Sequence, residues 1–339
     1  MSPYSQLEDY RFHNRIFTGQ APSAFDPIVN PRFHLGGDAG IVTMGSCFAQ
    51  HLSKWLLANG CNLLVEEGDA YGGGVFFSGN YGNVYTVAQA LQLLQRAFGV
   101  WEASDELYSN SEGRFLDPLR PSVMPEGLET RQQVLLDRKV HEQAVKRLIC
   151  NADVIVFTLG LTEAWVRVSD EAVLPIAPGV VAGHYSERDY RFINYSYDQN
   201  VAALDDFIAL VRHVNPKCKI MLTVSPVPLA ATYENKHVSL ASSASKAVLR
   251  AVVESKLTKD KDVDYFPSYE IFYTPGIGSP YFEPDGRHVK QWGVDHAMRL
   301  FSRHYIESSV VDRREIKHAD SALVSACYRS VICDEDQIG

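Results

Sequence analysis

No apolar run in this chain is long enough to cross a bilayer. The longest, such as residues 154–161, fall far short of the roughly 20 residues a spanning helix needs. There is no Cys-x-x-Cys pair and no cysteine–histidine cluster at zinc spacing, which argues against the common structural zinc sites. Six cysteines (47, 61, 150, 218, 327 and 333) are too thinly spread over 339 residues for a disulfide framework, so most are expected to be buried thiols. Positive charge is also scarce. A formal net charge of −9 leaves no broad basic face for a nucleic acid or an anionic membrane surface. The first 20 residues mix charges of both signs and lack a basic head followed by an apolar stretch. No secretory leader is expected from them, and a cytoplasmic location is. Internal repeats and low-complexity blocks are absent.

The chain does have ample apolar content, 46% of its residues, arranged in two alternating patterns. Short β-rich runs (residues 40–44, 153–159, 219–224 and 263–266, with a further short one at 62–66) alternate with stretches of helical spacing. Those stretches are residues 48–59, 87–98, 132–150, 198–214, 243–256 and 291–308. The alternation predicts an α/β fold with a mostly parallel central sheet and helices on both faces. Residues 1–40 read as an irregular arm packed on one domain spanning 41–310, and 311–339 as a polar C-terminal tail. Two stretches without a period, 99–131 and 173–197, read as inserted lid segments, ordered by their aromatic residues. The glycine-dense stretch 71–83 is not a P-loop, because no Gly-Lys-Ser/Thr closes it.

In a parallel sheet, ligands sit at the carboxyl ends of the strands. Four predicted strand ends carry unusual residues: Gly45-Ser46, residues 160–163, Ser225-Pro226 and residues 267–270. Ser46 stands where a buried strand turns into a helix, beside backbone N–H groups that a helix start leaves free. That position suits a serine that attacks an acyl group and holds the oxyanion; it equally suits a serine that merely caps the helix. The base is sought at His288, because Asp285 three residues earlier can orient the same ring. The bland alternative there is a solvated Asp-Gly turn with an exposed histidine. His296, in the last helix, is the fallback base and reads as a packed surface residue. Cys47 is a rival nucleophile, expected to point away from Ser46 into the fold. Ser245 and Lys246 are helical neighbours that do not face each other, so they make no dyad. Residues 267–270 are expected to shape the wall of the site.

The two signals together, Gly-Ser after strand one and Asp-x-x-His before the final helix, resemble the ground plan of the SGNH (GDSL-like) hydrolases. The first reads Gly45-Ser46-Cys47-Phe48-Ala49, and the chain is identified on it as a member of the GSCFA family, itself similar to that group. Further matching stretches are residues 81–86, 158–165, 223–228, 245–246 and 265–270, so the resemblance covers roughly residues 15–310. It implies a three-layer flavodoxin-like (SGNH hydrolase-type) sandwich. Ser46 would be the nucleophile, His288 the general base and acid, and Asp285 the orienting carboxylate. The SGNH oxyanion hole uses the serine N–H, a glycine N–H and an asparagine amide. Gly82 takes the glycine's place, whereas Thr162 stands where the asparagine is usual, so that Thr162 or Asn83 would have to supply the missing donor. Glu163 would bind substrate or pair with an arginine.

The function so implied is a serine acyl-ester enzyme that removes or transfers an acetyl group on a carbohydrate. Trp101, Trp165 and Tyr185 are candidates for stacking on sugar rings. Neither cofactor nor metal is called for, and an acyl donor such as acetyl-CoA enters only if the reaction is a transfer. The expected partner is an acylated small molecule or glycan, without nucleic acid and without membrane insertion. The missing asparagine motivates the rival reading, a catalytically silent glycan-binding or scaffolding protein on the same fold.

Overall fold

The computed structural model describes residues 2–16, 21–67, 76–274, 280–307 and 331–338. Residues 71–75 of the glycine-dense stretch, residues 275–279 ahead of His288, and residues 308–330, from the predicted end of the last helix into the predicted tail, lie outside them. The elements follow one another as β1 (Ile41–Gly45), α1 (Phe48–Ala58), α2 (Val87–Ala97), β2 (Tyr108–Ser109), β3 (Phe115–Leu116), α3 (Arg131–Asn151), β4 (Val154–Leu159), β5 (Glu163–Arg167), β6 (Val173–Leu174), β7 (Tyr190–Asn194), α4 (Tyr197–Val214), β8 (Lys219–Val224), α5 (Val238–Leu257), β9 (Val263–Phe266), α6 (Ser268–Tyr273) and α7 (Gln291–Tyr305).

The central sheet runs β1–β4–β8–β9 and every pairing in it is parallel. Leu63 adds one parallel bridge to Ile41, where the sequence suggested a short further strand. Both faces of the sheet are covered, as its uniformly apolar strands require. Ile155, Phe157 and Leu159 of β4 join a core built with α2, α3, α4 and α5, while Val154 and Val156 join one built with α1, α6 and α7. Burying side chains of this size contributes about 1.5–3 kcal/mol each. The N-terminal arm adds Phe25, Phe33 and Leu35 to the second core. No helix among the described residues is long and apolar enough to cross a membrane.

The predicted irregular stretches hold structure of their own. Residues 173–197 contain β6 and β7, which flank β5 in an antiparallel three-stranded sheet. Period-two patterning is hard to see there because β6 is only two residues long and β7 mixes half-buried with exposed positions. Residues 99–131 carry the β2–β3 hairpin and a buried ion network. Burial alone would raise the Asp117 carboxyl, but Arg138, with bonds of 2.9 and 3.1 Å, and the neighbouring Arg120 and Arg96 hold it down to about 2.

The β1–β4 ladder extends to the last residue of β1, where Gly45 pairs with Thr158, and Ser46 N–H donates to Thr158 O at 3.0 Å. Gly45 has φ +132°, and a Cβ there would meet the Thr158 carbonyl oxygen at 2.3 Å. Gly45→Ala is therefore expected to cost about 3 kcal/mol or more, from backbone strain and overpacking together. Urea unfolding of the two proteins measures it, and a loss below about 1 kcal/mol would contradict the tight seam.

Candidate active site

The order in which the chain adds strands reverses at β1, since Leu63 lies on one side of β1 and β4 on the other, all running parallel. Such a switch point opens a crevice at the carboxyl ends of the strands. Ser46 closes β1 at that point and is 2% exposed. Gly160, at the end of β4, comes so near that a Cβ on it would lie 2.9 Å from Ser46 Cβ. Among the described residues the Ser46 hydroxyl has no hydrogen-bond partner. Its N–H, expected to be free at the helix start, is spent on Thr158 because the strand ladder continues one residue further than the sequence suggests.

Gln50 follows Ser46 at the spacing of one helical turn, close to Asn83. Asn83 is fixed from both sides. Its Oδ1 accepts from Gln50 Nε2 at 3.0 Å and its backbone carbonyl from Gln89 Nε2 at 3.0 Å. Gln89 also accepts from Tyr85 N–H at 2.9 Å, and its own N–H is capped by Thr86 Oγ1 at 3.2 Å. The preceding turn is braced from the first insertion: Arg120 donates to Asn80 O at 3.0 Å, while Glu67 accepts from Asn80 N–H at 2.7 Å. Gly82, half-buried, is the turn residue between these supports.

Asp285 and His288 do form a pair: Asp285 Oδ2 is hydrogen-bonded to His288 Nδ1, and Asp285 Oδ1 accepts His288 N–H at 3.0 Å. The hydrogen bond to Asp285 raises the imidazole above its usual value, and the Asp285 carboxyl is pulled down to about 2 by its bond to His288. The expected Ser46–His288 hydrogen bond is not made. His288 Nε2 instead faces Asp336 Oδ2 at 3.3 Å. That carboxylate belongs to the C-terminal segment, residues 331–338, which lies in the crevice and spans it. Ile332 O accepts from Gln50 Nε2 at 2.7 Å and Asn83 Nδ2 at 3.1 Å, and Ile332 N–H donates to Gln50 Oε1 at 2.9 Å. Four residues on, Asp336 reaches His288 and Arg287. One short segment thus touches the amide pair and the imidazole, so both border the groove that this segment fills.

Other expectations change with these contacts. Cys47 faces the cleft rather than the fold interior, with its thiol hydrogen-bonded to Cys333. His296 is buried, not on the surface; Tyr281 OH and Phe25 O lie 2.6 and 2.9 Å from its two nitrogens, so it serves packing. Thr162 N–H donates to Ser245 Oγ and its carbonyl accepts from Tyr195 N–H, while the amides clasping Ile332 O come from Gln50 and Asn83. Among the described residues Glu163 pairs with no arginine. It accepts from Thr232 Oγ1 at 2.7 Å and Tyr233 N–H at 3.3 Å, and burial raises its carboxyl. Trp165 packs edge-on against Tyr185, Phe192 and Tyr233, and Trp101 packs against Leu119 and its neighbours. Residues 267–270 hold the far end of the sheet, where Ser268 bonds Thr223 and Val224 and Glu270 bonds Arg250.

Two cleft residues escape sequence reasoning, Gln50 and Arg287, and a third, Lys246, enters it only as a dyad partner of Ser245. Lys246 is fully buried, donates to Gly160 O at 2.7 Å, and is pushed down to about 8 by burial. Gln50 shows a signal only in hindsight, as a polar residue that shares the buried face of α1 with Ser53.

The GSCFA family profile matches residues 40–301. The chain belongs to the GSCFA family. Three solved structures are similar to this GSCFA protein at low identity. One is a carbohydrate esterase family 3 protein from Talaromyces cellulolyticus, 11% identical, covering 82% of this chain and 98% of that one with a TM-score of 0.32. Another is an acetyl esterase mutant with an acetate ion, 8% identical, with the same coverages and a TM-score of 0.29. The third is a salicylyl-acyltransferase from a tetracycline biosynthetic pathway, 17% identical, with a TM-score of 0.27; the match covers 48% of this chain and 40% of that one. No curated protein matches the chain.

The Asp285–His288 pair carries a pH signature. His288 should titrate above 6.5 in an NMR pH series, and in Asp285→Asn it should fall back toward 6.5. Because the imidazole's folded value is raised and the carboxylate's is lowered, the pair's stabilisation is full between about 4 and about 6.5, is lost as pH rises through the folded value of His288, and is lost as pH falls through that of Asp285, about 2. An unchanged midpoint in the variant would show that Asp285 does not hold the ring.

Proposed function

We propose that this protein is a serine acyl-ester enzyme acting on an acetyl group carried by a carbohydrate. The observation that supports it most is the seating of a carbonyl oxygen, that of Ile332, between two amide donors, Gln50 and Asn83, at the serine's end of the Asp285–His288 cleft. A hole that grips one carbonyl oxygen suits the oxyanion of an ester under attack.

In this reading Ser46 Oγ attacks the ester carbonyl as His288 Nε2, turned from Asp336 to the serine, takes the hydroxyl proton. Asp285 holds the imidazole in the needed tautomer and stabilises the imidazolium. Negative charge on the former carbonyl oxygen is met by Gln50 Nε2 and Asn83 Nδ2, which takes over the role left open by Thr162. The imidazolium then protonates the departing alkoxide, leaving an acetyl group on Ser46. A water completes hydrolysis, and a sugar hydroxyl completes transfer. An acyl donor such as acetyl-CoA belongs to the second case only. The rival reading, a silent glycan-binding protein, draws on the Ser46 N–H being spent on Thr158.

A fluorophosphonate probe should label Ser46 in the wild type and fail on Ser46→Ala. Release of 4-nitrophenol from its acetate should fall by at least about 10³ in that variant. Asn83→Ala and Gln50→Ala should each lower kcat by about 10²–10³. A wild-type protein silent to both reagents would favour the binding protein instead, and activity lost in Cys47→Ala but kept in Ser46→Ala would move the nucleophile to the thiol.

A further inference from the structure

The C-terminal segment is held in the cleft by groups that recognise chemistry rather than bulk. Its centre reads Cys333-Asp334-Glu335-Asp336, strongly acidic, and Cys333, Asp334 and Glu335 are all buried. Glu335 accepts from Arg287 Nη2 at 3.2 Å and from Ala230 N–H at 3.3 Å. Arg287 also bonds Asp336 and donates to Cys333 Sγ at 3.1 Å. Among the described residues, the hydrogen bonds of its side chain all go to this segment, and its buried Nε has no partner. Tyr85 OH accepts from Asp334 N–H at 3.2 Å. Lys246 adds a second buried cation beside Glu335. A cleft with two cations in a chain of net charge −9 is a local inversion of sign.

We propose that residues 331–338 are an intramolecular inhibitor that occupies the Ser46 cleft as a substrate mimic, the Ile332 carbonyl standing for the ester carbonyl and the Glu335 carboxylate for an anionic group of the substrate, so that Arg287 selects acyl esters bearing a carboxylate. This rests on the ester-enzyme reading above. Two features carry it. The segment covers each functional group at once: the amide pair through Ile332, Cys47 through Cys333, and His288 through Asp336. Moreover, its departure would take from Arg287 both carboxylates and the thiol that it bonds, leaving a guanidinium beside the imidazole with its donors free for another anion. Inhibition and specificity are then one interaction, used by the chain's own end or by substrate.

Three measurements on the full chain test it. Diamide, whose N=N bond takes up the two electrons and two protons lost by a pair of thiols, should join Cys47 to Cys333 in a disulfide detectable by peptide mass mapping. The crosslinked protein should react with the fluorophosphonate at background rate, and dithiothreitol should restore labelling. Glu335→Gln combined with Asp336→Asn, which weakens the segment's grip on Arg287 and His288, should speed labelling about tenfold, as for a site otherwise open a tenth of the time. Arg287→Gln should raise the rate on neutral 4-nitrophenyl acetate by freeing the cleft, yet raise KM for an O-acetylated galacturonate with little change in kcat. A merely structural arginine would move both substrates in the same direction. Failure to crosslink, labelling that survives the crosslink, no acceleration in the double variant, or parallel changes in the two substrates would each overturn the proposal. A chain that crosslinks but is never labelled at Ser46 in any redox state or variant would instead defeat the ester-enzyme reading, and the inhibitor role with it.

Discussion

Everything at this site depends on how tightly β1 is sewn to β4. The parallel ladder runs to Gly45 opposite Thr158, in contact so close that a side chain at Gly45 would strike the neighbouring carbonyl, and it closes with Ser46 N–H on Thr158 O. The seam fixes Ser46 at the point where strand order reverses, with Gly160 pressed against it. A serine hydroxyl placed there has little freedom to reposition. The groups proposed to act with it sit on distant parts of the chain: Asn83 on a loop pinned by Gln89 and Arg120, and His288 on the turn before α7.

Charge is the second organising influence. Two cations line the cleft, and acidic side chains of the chain's own end answer them. Burial and the neighbouring Cys333 raise Glu335 to about 7 against the pull of Arg287 and of its bond from Ala230 N–H. The neighbouring thiols divide their proton along the same gradient. Cys47 donates to Cys333 sulfur, which together with Arg287 pulls Cys333 down to about 6 while Cys47 is pushed up. The polar face of the crevice is thus assembled by groups that need one another because water is excluded from them.

Much of the framework is legible in the amino-acid sequence because it follows from local period. The four sheet strands and six of the seven helices fall where apolar patterning puts them, to within a few residues at each end, because each must bury one face or two. The serine and the Asp285–His288 pair are legible for a similar reason, since both are short motifs whose members contact neighbours a few positions away. Strands β5, β6 and β7 are not, because a strand of two to five residues is too short to leave a period to read.

What the sequence determined by itself is a doubly covered parallel sheet with a serine at one strand end and a carboxylate–histidine pair before the last helix. Tertiary structure alone decided which amides face the carbonyl position, that Cys47 turns toward the cleft and His296 away from it, and that an acidic stretch more than 280 residues beyond Ser46 comes to lie over the site. The physical reason is range. Periodicity and capping act over a few residues along the chain, whereas an arginine recognises a carboxylate by distance in space, wherever along the polypeptide it was made.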